Sequence, residues 1–293
     1  MFTFILESIQ SLLFRKEDSN NKQPQLKTPT PRRYSYGWKR GHQYREYKKY
    51  RLMVPQEKKT ISHIKRVDLR TMCPSVYNQG KLGSCTANAI AFLYHFCELK
   101  QNSASLFMPS RLFIYYNERN MEGTVNKDNG AEIHDGIQSI HNLGVCDEKD
   151  WPYDIDKFTQ KPDEKCYDWA KHHVAQKFHA IEHDIDQLKL CLFHGYPVSF
   201  GFNVYSSFET KEVAETGIMK MPSSEEKLLG GHAVALVGYD DDKECFIVRN
   251  SWGESWGDNG YFYMPYAFME NKEYVSDFWI VTHILDSQDN DES

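Results

Sequence analysis

Long apolar runs, clustered cysteines and an excess of positive charge are all missing from this sequence. Without a stretch of about 18 apolar residues, it predicts no membrane-spanning helix. None of its seven cysteines belongs to a Cys-x-x-Cys pair, so no structural zinc site is expected, and their dispersal over 293 residues does not require a disulfide framework. The formal net charge of −6 does not favour nucleic-acid binding. We therefore expect no metal, no other cofactor and no nucleic-acid partner.

The charge that is present is divided unevenly along the chain. Residues 1–60 hold 14 Lys and Arg against 5 Asp and Glu, whereas the remainder carries a net charge of −15. Six aromatic side chains between residues 34 and 50 also need a surface to pack against. These features predict a basic arm that docks on an acidic body by electrostatic attraction. A solvated tail is the alternative.

Apolar side chains recur at helical spacing near the start of the chain: Phe2, Ile5, Ile9, Leu12 and Leu13. This spacing predicts a short amphipathic helix that docks on protein or, through residues 1–14, contacts a membrane. Glu7 interrupts the apolar run and basic residues follow it, which does not fit a secretory signal peptide well. A signal sequence is nevertheless kept as the second interpretation.

The body of the chain changes character near its middle. Helical periodicity covers residues 85–98, 110–119 and 130–143, and the first of these stretches has one apolar face that predicts a half-buried helix. β-Rich runs follow at 196–202, 232–239, 245–250 and 260–264. A helical half followed by a β half predicts an α+β fold in two lobes, with a ligand cleft between them.

Cys85 lies where a glycine-bearing loop, residues 80–83, runs into the first predicted helix. A helix N-terminus presents unpaired N–H groups and the positive end of the helix dipole, which lower the pKa of a thiol and favour the nucleophilic thiolate. Taken alone, a cysteine that opens a helix is more often a buried thiol.

His232 follows two glycines at the start of a predicted strand, and Asn250 ends the next strand 18 positions later. Two antiparallel strands joined by the acidic turn 240–242 would bring these side chains together. The Asn carbonyl would then accept the imidazole N–H and fix the ring, leaving the other ring nitrogen to face the thiol. Trp252 would cover this hydrogen bond from water.

Three blocks of sequence resemble the active-site blocks of the papain family and occur in that family's order. They are QGKLGSC at 79–85, GHA at 231–233 and NSWG at 250–253, and WGDNGY follows at 256–261. The similarity runs from Val67 to His283. It implies a papain-like cysteine peptidase, in which a helical left lobe and an antiparallel, β-barrel-like right lobe enclose the active-site cleft.

The resemblance implies a role for each residue of the blocks. Cys85 is the nucleophile, His232 its general base and acid, and Asn250 the group that orients the histidine. The side-chain amide of Gln79 and the backbone N–H of Cys85 would form the oxyanion hole. Further substrate-binding groups are expected at the following positions: Gly130, Ile133, Gly201, Ala233, Trp252, Ser276 and Asp277.

The sequence also departs from the family pattern, in ways that resemble bacterial and large-virus members. Leu82 and the segment 127–130 lack the cysteines that usually bridge this region, and Thr86 follows the nucleophile where an aromatic residue is usual. The missing disulfide argues against an oxidising lysosomal setting. The compartment is left open, and the viral resemblance suggests a virion or an acidic vesicle.

Taken with its family resemblance, the chain is expected to be an endopeptidase made as a self-inhibited zymogen. Residues 1–60 would be the propeptide, 61–285 the peptidase domain and 286–293 a disordered acidic tail. The expected partners are protein or peptide substrates and the arm itself as inhibitor. The pair at residues 172–173 resembles the histidines of cathepsin B, but no cysteine-closed loop surrounds it. The alternatives are a catalytically silent, peptide-binding papain-like protein and a thiol acyl transferase.

Overall fold

A computed structural model gives the positions of residues 34–41 and 63–285. The predicted amphipathic helix, most of the basic arm and the acidic tail lie outside these described residues. The helices are α1 (Cys85–Gln101), α2 (Arg111–Met121), α3 (Ile133–Asn142), α4 (Glu164–Ala170), α5 (Ile185–Phe193), α6 (Lys211–Thr216) and α7 (Tyr266–Glu270). Within the two described ranges, no helix has both the length and the apolar character needed to cross a membrane.

The strands belong to one antiparallel sheet and come mostly from the second half of the chain. They are β1 (Arg66–Asp68), β2 (Ala175–Ala180), β3 (Val198–Tyr205), β4 (Leu228–Asp240), β5 (Cys245–Arg249), β6 (Tyr261–Pro265) and β7 (Val275–Ile284). Their order is β2-β7-β3-β4-β5-β6, and β1 pairs with the end of β4. The predicted α+β fold is confirmed. In the described residues the sheet is open, with β2 and β6 at its two ends, and is not a closed barrel.

Helix α1 is the centre of the fold. It contacts α2 and α3 on the helical side and β3, β4 and β7 on the sheet side. Because it has neighbours on both sides, almost every residue from Cys85 to Glu98 is buried. The predicted half-buried helix is therefore wrong in extent, since a helix that is enclosed by other elements needs no polar face.

The long strand β4 positions the second part of the site. It lies between β3 and β5 in the sheet and is buried from His232 to its end. Its hairpin with β5 pairs Asp240 with Cys245 and Ala235 with Arg249. This antiparallel register brings the beginning of β4 beside the residue that follows β5, as the sequence predicts for the β4–β5 pair.

Candidate active site

Cys85 is the first residue of α1, at the end of the glycine-bearing loop, and it is fully buried. Burial raises the pKa of its thiol to about 11, and backbone hydrogen bonds from Ala233 and Gly37 act against that rise. The expected lowering of the pKa by the helix N-terminus is therefore outweighed in this structure, because the thiol is enclosed. Ala233 belongs to β4, so the sulfur lies where the helix meets the sheet.

His232 and Asn250 are brought together by the β4–β5 hairpin. The ring atom Nε2 lies 2.8 Å from Asn250 Oδ1, and the same oxygen accepts the backbone N–H of Ser251 at 2.8 Å. An oxygen that only accepts requires Nε2 to be the donor, so Nδ1 carries the lone pair. Nδ1 is buried without a hydrogen-bond partner among the described residues. Burial lowers the pKa of His232 to about 4, while the bond to Asn250 raises it.

Trp252 covers this histidine. Its ring stacks on the imidazole, with centroids 4.9 Å apart and planes 20° from parallel. The stacking excludes water from the His232–Asn250 hydrogen bond, which strengthens it in a site of low polarity.

Gln79 connects the loop before α1 to the segment after β5. Its Oε1 accepts the hydroxyl of Ser251 at 2.6 Å, and its backbone N–H donates to the Ser251 carbonyl at 2.8 Å. Its Nε2 donates to the carbonyls of Leu82 at 3.0 Å and Ser35 at 3.2 Å. Because Oε1 is held by a hydroxyl donor, the amide is fixed with its N–H groups turned towards carbonyl oxygens.

Thr86, the departure beside the nucleophile, has a local partner that the sequence did not reveal. Its hydroxyl donates to Oε1 of Glu118 at 2.5 Å, and Glu118 is fully buried. Burial raises the pKa of that carboxyl well above its ordinary value. Thr86 therefore satisfies a buried acidic group of α2.

Residues 34–41, which we call the cleft segment, pass between the helices and the sheet and cover these groups. Three hydrogen bonds join their backbone to the backbone of the walls: Trp38 N to Gly231 O at 3.0 Å, Lys39 N to Ala131 O at 3.0 Å and Ala131 N to Gly37 O at 2.8 Å. Tyr34 stacks on Trp252 with centroids 3.8 Å apart. The segment pairs with Ala131 in the parallel direction.

The cleft segment approaches the walls so closely that glycine is required on both sides. A Cβ on Gly37 would lie 1.6 Å from the carbonyl oxygen of Gly83, and a Cβ on Gly130 would lie 1.7 Å from that of Gly37. Separations this short are impossible between real atoms. Gly37 and Gly130 therefore let the backbone of the segment lie directly against both walls.

Trp38 fills a pocket whose floor is made of glycine. A Cβ on Gly201 would lie 1.9 Å from the indole ring, and one on Gly231 would lie 2.5 Å from the Trp38 carbonyl oxygen. The indole Nε1 donates to Asp277 Oδ2 at 3.1 Å, and Gly41 N donates to the same oxygen at 3.0 Å. Burial raises the pKa of Asp277, and these two hydrogen bonds lower it.

The other residues that the sequence predicts to bind substrate are Ile133, Ser276 and Gly130, and each has a different environment. Ile133 is fully buried at the start of α3, and the hydroxyl of Ser276 is buried without a partner among the described residues. Gly130 donates its N–H to Tyr115, while its neighbour Ala131 makes the two backbone bonds to the cleft segment. Sequence reasoning missed Ala131, because a backbone contact leaves no mark on the choice of side chain.

The histidines at 172–173 lie at the end of α4. The ring of His173 stacks on Trp169 with centroids 3.5 Å apart, and its Nδ1 contacts the Trp169 carbonyl at 2.9 Å. These contacts agree with the structural interpretation of the pair.

Residues 64–276 match the family model described as papain family cysteine protease. The chain belongs to the papain family. It is 47% identical over 220 residues to an uncharacterized peptidase C1-like protein of Acanthamoeba polyphaga mimivirus, a match that covers 72% of this chain and 71% of that protein. Cathepsin B-like CP3 of Giardia intestinalis is 35% identical, but over only 33% of each chain.

Solved structures of cysteine proteases share the fold. Xylellain, a cysteine protease from Xylella fastidiosa, superposes with a TM-score of 0.76 at 38% identity, covering 89% of this chain and 98% of its own. The proform of the ragweed pollen allergen Amb a 11 has a TM-score of 0.55 at 20% identity, which shows the fold alone. The resemblance to bacterial and large-virus members is confirmed, and as a papain-family protease the chain is a cysteine-type hydrolase.

Proposed function

We propose that this papain-family protein is a cysteine endopeptidase that works through a thioester, and that the cleft segment holds it in a latent form. The orientation of His232 is the main support for catalysis by Cys85. Its Nε2 is committed to Asn250, so its other nitrogen, Nδ1, is an acceptor at the point where β4 meets the thiol of Cys85. A base that is oriented by a third group, and that precedes in the strand a residue whose backbone contacts the thiol, supports nucleophilic catalysis.

The chemistry follows from this arrangement. The Cys85 thiol gives its proton to Nδ1 of His232, and the sulfur attacks the carbonyl carbon of the substrate. A C–S bond forms and the electron pair of the carbonyl moves to its oxygen. When the C–N bond breaks, the leaving amine takes the proton from His232. Water then attacks the thioester, with His232 as base, and releases the acid and the free thiol.

Gln79 and the Cys85 backbone N–H are proposed to stabilise the negative oxygen. A peptide carbonyl oxygen, that of Ser35, already lies 3.2 Å from Gln79 Nε2. This contact supports the assignment, because the amide is held ready to donate to a carbonyl at the mouth of the loop. Removing one such donor typically slows catalysis about 10²–10³-fold.

The cleft segment is proposed to act as an inhibitor in two ways. It occupies the space beside Ala131 and Gly231, where an extended peptide backbone would pair. It also keeps water away from Cys85 and His232, whose pKa values of about 11 and about 4 both favour the uncharged forms at neutral pH. The thiolate and imidazolium needed for attack are therefore suppressed until the segment leaves. The segment belongs to residues 1–60, which we propose as the propeptide.

Substitution of two buried thiols on the same helix tests the function. After incubation at mildly acid pH, hydrolysis of a fluorogenic peptide should be abolished in Cys85→Ala and unchanged in the matched control Cys97→Ala. Asn250→Ala should keep reduced activity, because an orienting group is less critical than the nucleophile. Undiminished hydrolysis by Cys85→Ala would refute the mechanism. Amine incorporation in place of hydrolysis would indicate an acyl transferase, and peptide binding without turnover a silent binding protein.

A further inference from the structure

We propose that Asp128 is a positioning residue for the reaction, which holds the peptide group between Leu82 and Gly83 and, through it, the amide of Gln79. The inference rests on the proposed function, since it needs Gln79 to act on the negative oxygen. Asp128 does not touch the reacting atoms. It acts on the far side of the loop that leads to the nucleophile.

The peptide group between Leu82 and Gly83 is hydrogen-bonded at both its N–H and its C=O. Its N–H, on Gly83, donates to both carboxylate oxygens of Asp128, at 3.0 and 3.1 Å. Its C=O, on Leu82, accepts Nε2 of Gln79 at 3.0 Å. Because N–H and C=O of one peptide group point in opposite directions, fixing the N–H on Asp128 also fixes where the carbonyl meets the Gln79 amide.

Asp128 is itself held in place from helix α2. The hydroxyl of Tyr115 donates to its Oδ1 and accepts the backbone N–H of Gly130 at 3.3 Å. Burial, and then the hydrogen bond to Asp128, raise the pKa of Tyr115, so this hydroxyl stays a donor. One turn further along α2, the buried Arg119 donates to the carbonyls of Val125 at 2.7 Å and Lys127 at 3.2 Å. The carboxylate therefore sits on a rigid support.

This polar connection joins the two walls that face the cleft segment. One wall is the loop that ends in Cys85, and the other is the segment that continues from Asp128 to Ala131. All seven cysteines of the chain are free thiols, so no disulfide performs this task. Gly83 is buried, and an N–H left there without a partner is unfavourable. Without Asp128 the peptide group would turn to find another acceptor and would carry the Leu82 carbonyl away from Gln79.

A double-mutant cycle separates this role from a general structural one. We compare the full-length wild type, Asp128→Ala, Gln79→Ala and the double variant, all taken through the same activation at mildly acid pH. Asp128→Ala should lower kcat about 10- to 100-fold with little change in KM, since part of one oxyanion donor is lost. In the Gln79→Ala background, Asp128→Ala should lower kcat less than about threefold further, because the effects of two groups that act through the same contact are not additive.

The rate at which iodoacetamide labels Cys85 provides the second readout. Alkylation requires the thiolate but no oxyanion donor, so Asp128→Ala should stay within about twofold of the wild type. Additive losses in the cycle, or a fall in alkylation as large as the fall in kcat, would overturn the proposal. The matched control is Asp168→Ala, whose carboxylate pairs with Lys171 on the surface and should change neither readout.

A milder pair of variants covers the case in which Asp128→Ala does not fold. Asp128→Asn keeps one acceptor oxygen for Gly83 but loses the charge, and should lower kcat about threefold to tenfold. Tyr115→Phe removes the support of that oxygen and should have a similar effect, again only when Gln79 is present. Wild-type kcat in both would refute the role of Asp128. The proposed function fails separately, if Cys85→Ala remains active.

Discussion

Replacing Gly37 by alanine should release the cleft segment without touching the catalytic groups. Gly37 does not adopt a positive φ, so alanine fits its backbone conformation in a free chain. In the cleft, however, the added methyl would lie 1.6 Å from the carbonyl oxygen of Gly83. The clash exists only while the segment is docked, and it therefore acts selectively on the latent form.

The size of the effect follows from the contacts that must be given up. The methyl has to move about 1.4 Å away from the Gly83 oxygen to reach even a 3.0 Å separation. The atoms that it meets on Gly83 all belong to the backbone, so no side chain can turn aside to make room. The three hydrogen bonds between the backbone of the segment and the backbone of the walls, 2.8–3.0 Å long, would then exceed hydrogen-bonding distance. At a net 0.5–1.5 kcal/mol each, their loss amounts to about 1.5–4.5 kcal/mol. That corresponds to a shift towards the open form of about 10- to 2000-fold.

Hydrolysis of a small fluorogenic peptide at neutral pH measures the shift, because the peptide competes with the segment for the same cleft. We expect the initial rate of full-length Gly37→Ala to exceed that of the wild type by a factor in this range before any processing occurs. The matched control is Lys39→Ala, whose partly exposed ammonium pairs with Glu122 at the rim of the cleft segment. A surface pair contributes about 1 kcal/mol or less, so its rate should rise less than about fivefold.

The prediction fails if Gly37→Ala is no more active than the wild type while both proteins carry an intact N-terminus. It also fails if Lys39→Ala is activated more than Gly37→Ala, since the hold would then be electrostatic and not steric. Combining Gly37→Ala with Cys85→Ala should remove the activity completely, which ties the gain to the nucleophile.

Two further predictions concern pH and specificity. The pKa of His232 is about 4 under the cleft segment, against about 6.5 when unperturbed, so the open form binds more protons. Docking should therefore weaken as pH falls from about 6.5 to about 4, by at most roughly 3 kcal/mol, since Trp252 still covers the ring in the open form. Cleavage of the segment in Cys85→Ala protein, by a protease that is active across this pH range, measures the change, and the same pH dependence in a variant that also carries His232→Asn would contradict it. Burial raises the pKa of Asp277, so protonation of that carboxyl acts with the opposite sign. Trp38 occupies a glycine-floored pocket beside Asp277, so a peptide library should favour large apolar residues, Trp and Arg at the position second from the scissile bond on the acyl side. Asp277→Asn should weaken the preference for Arg alone. A library without any preference at this position would refute the pocket assignment.

The pairing of His232 with Asn250 could be predicted from sequence because strand pairing is regular. Two β-rich runs and a three-residue acidic turn determine which ends meet, and the hairpin realises that geometry. Strand β7 escaped prediction, since its partner β2 lies at the opposite end of the second half of the chain. No local pattern identifies such a partner.

The chemical state of Cys85 could not be predicted in the same way. The sequence shows the helix start that lowers a thiol pKa, but not the depth at which that start lies. Burial reverses the sign of the shift, and Gly37 of the cleft segment, more than forty residues away in sequence, contacts the thiol through its backbone. Likewise, nothing local distinguishes Asp128 from a solvated carboxylate, because its partners come from the loop before α1 and from α2.

The free state of every cysteine has a practical consequence for thiol chemistry on this protein. Six of the seven sulfur atoms are buried and none cross-links the chain. A reducing agent in solution therefore breaks no bond on which the fold depends. Once the cleft is open, a change in turnover when the redox buffer is changed therefore measures the oxidation state of one sulfur atom, that of Cys85.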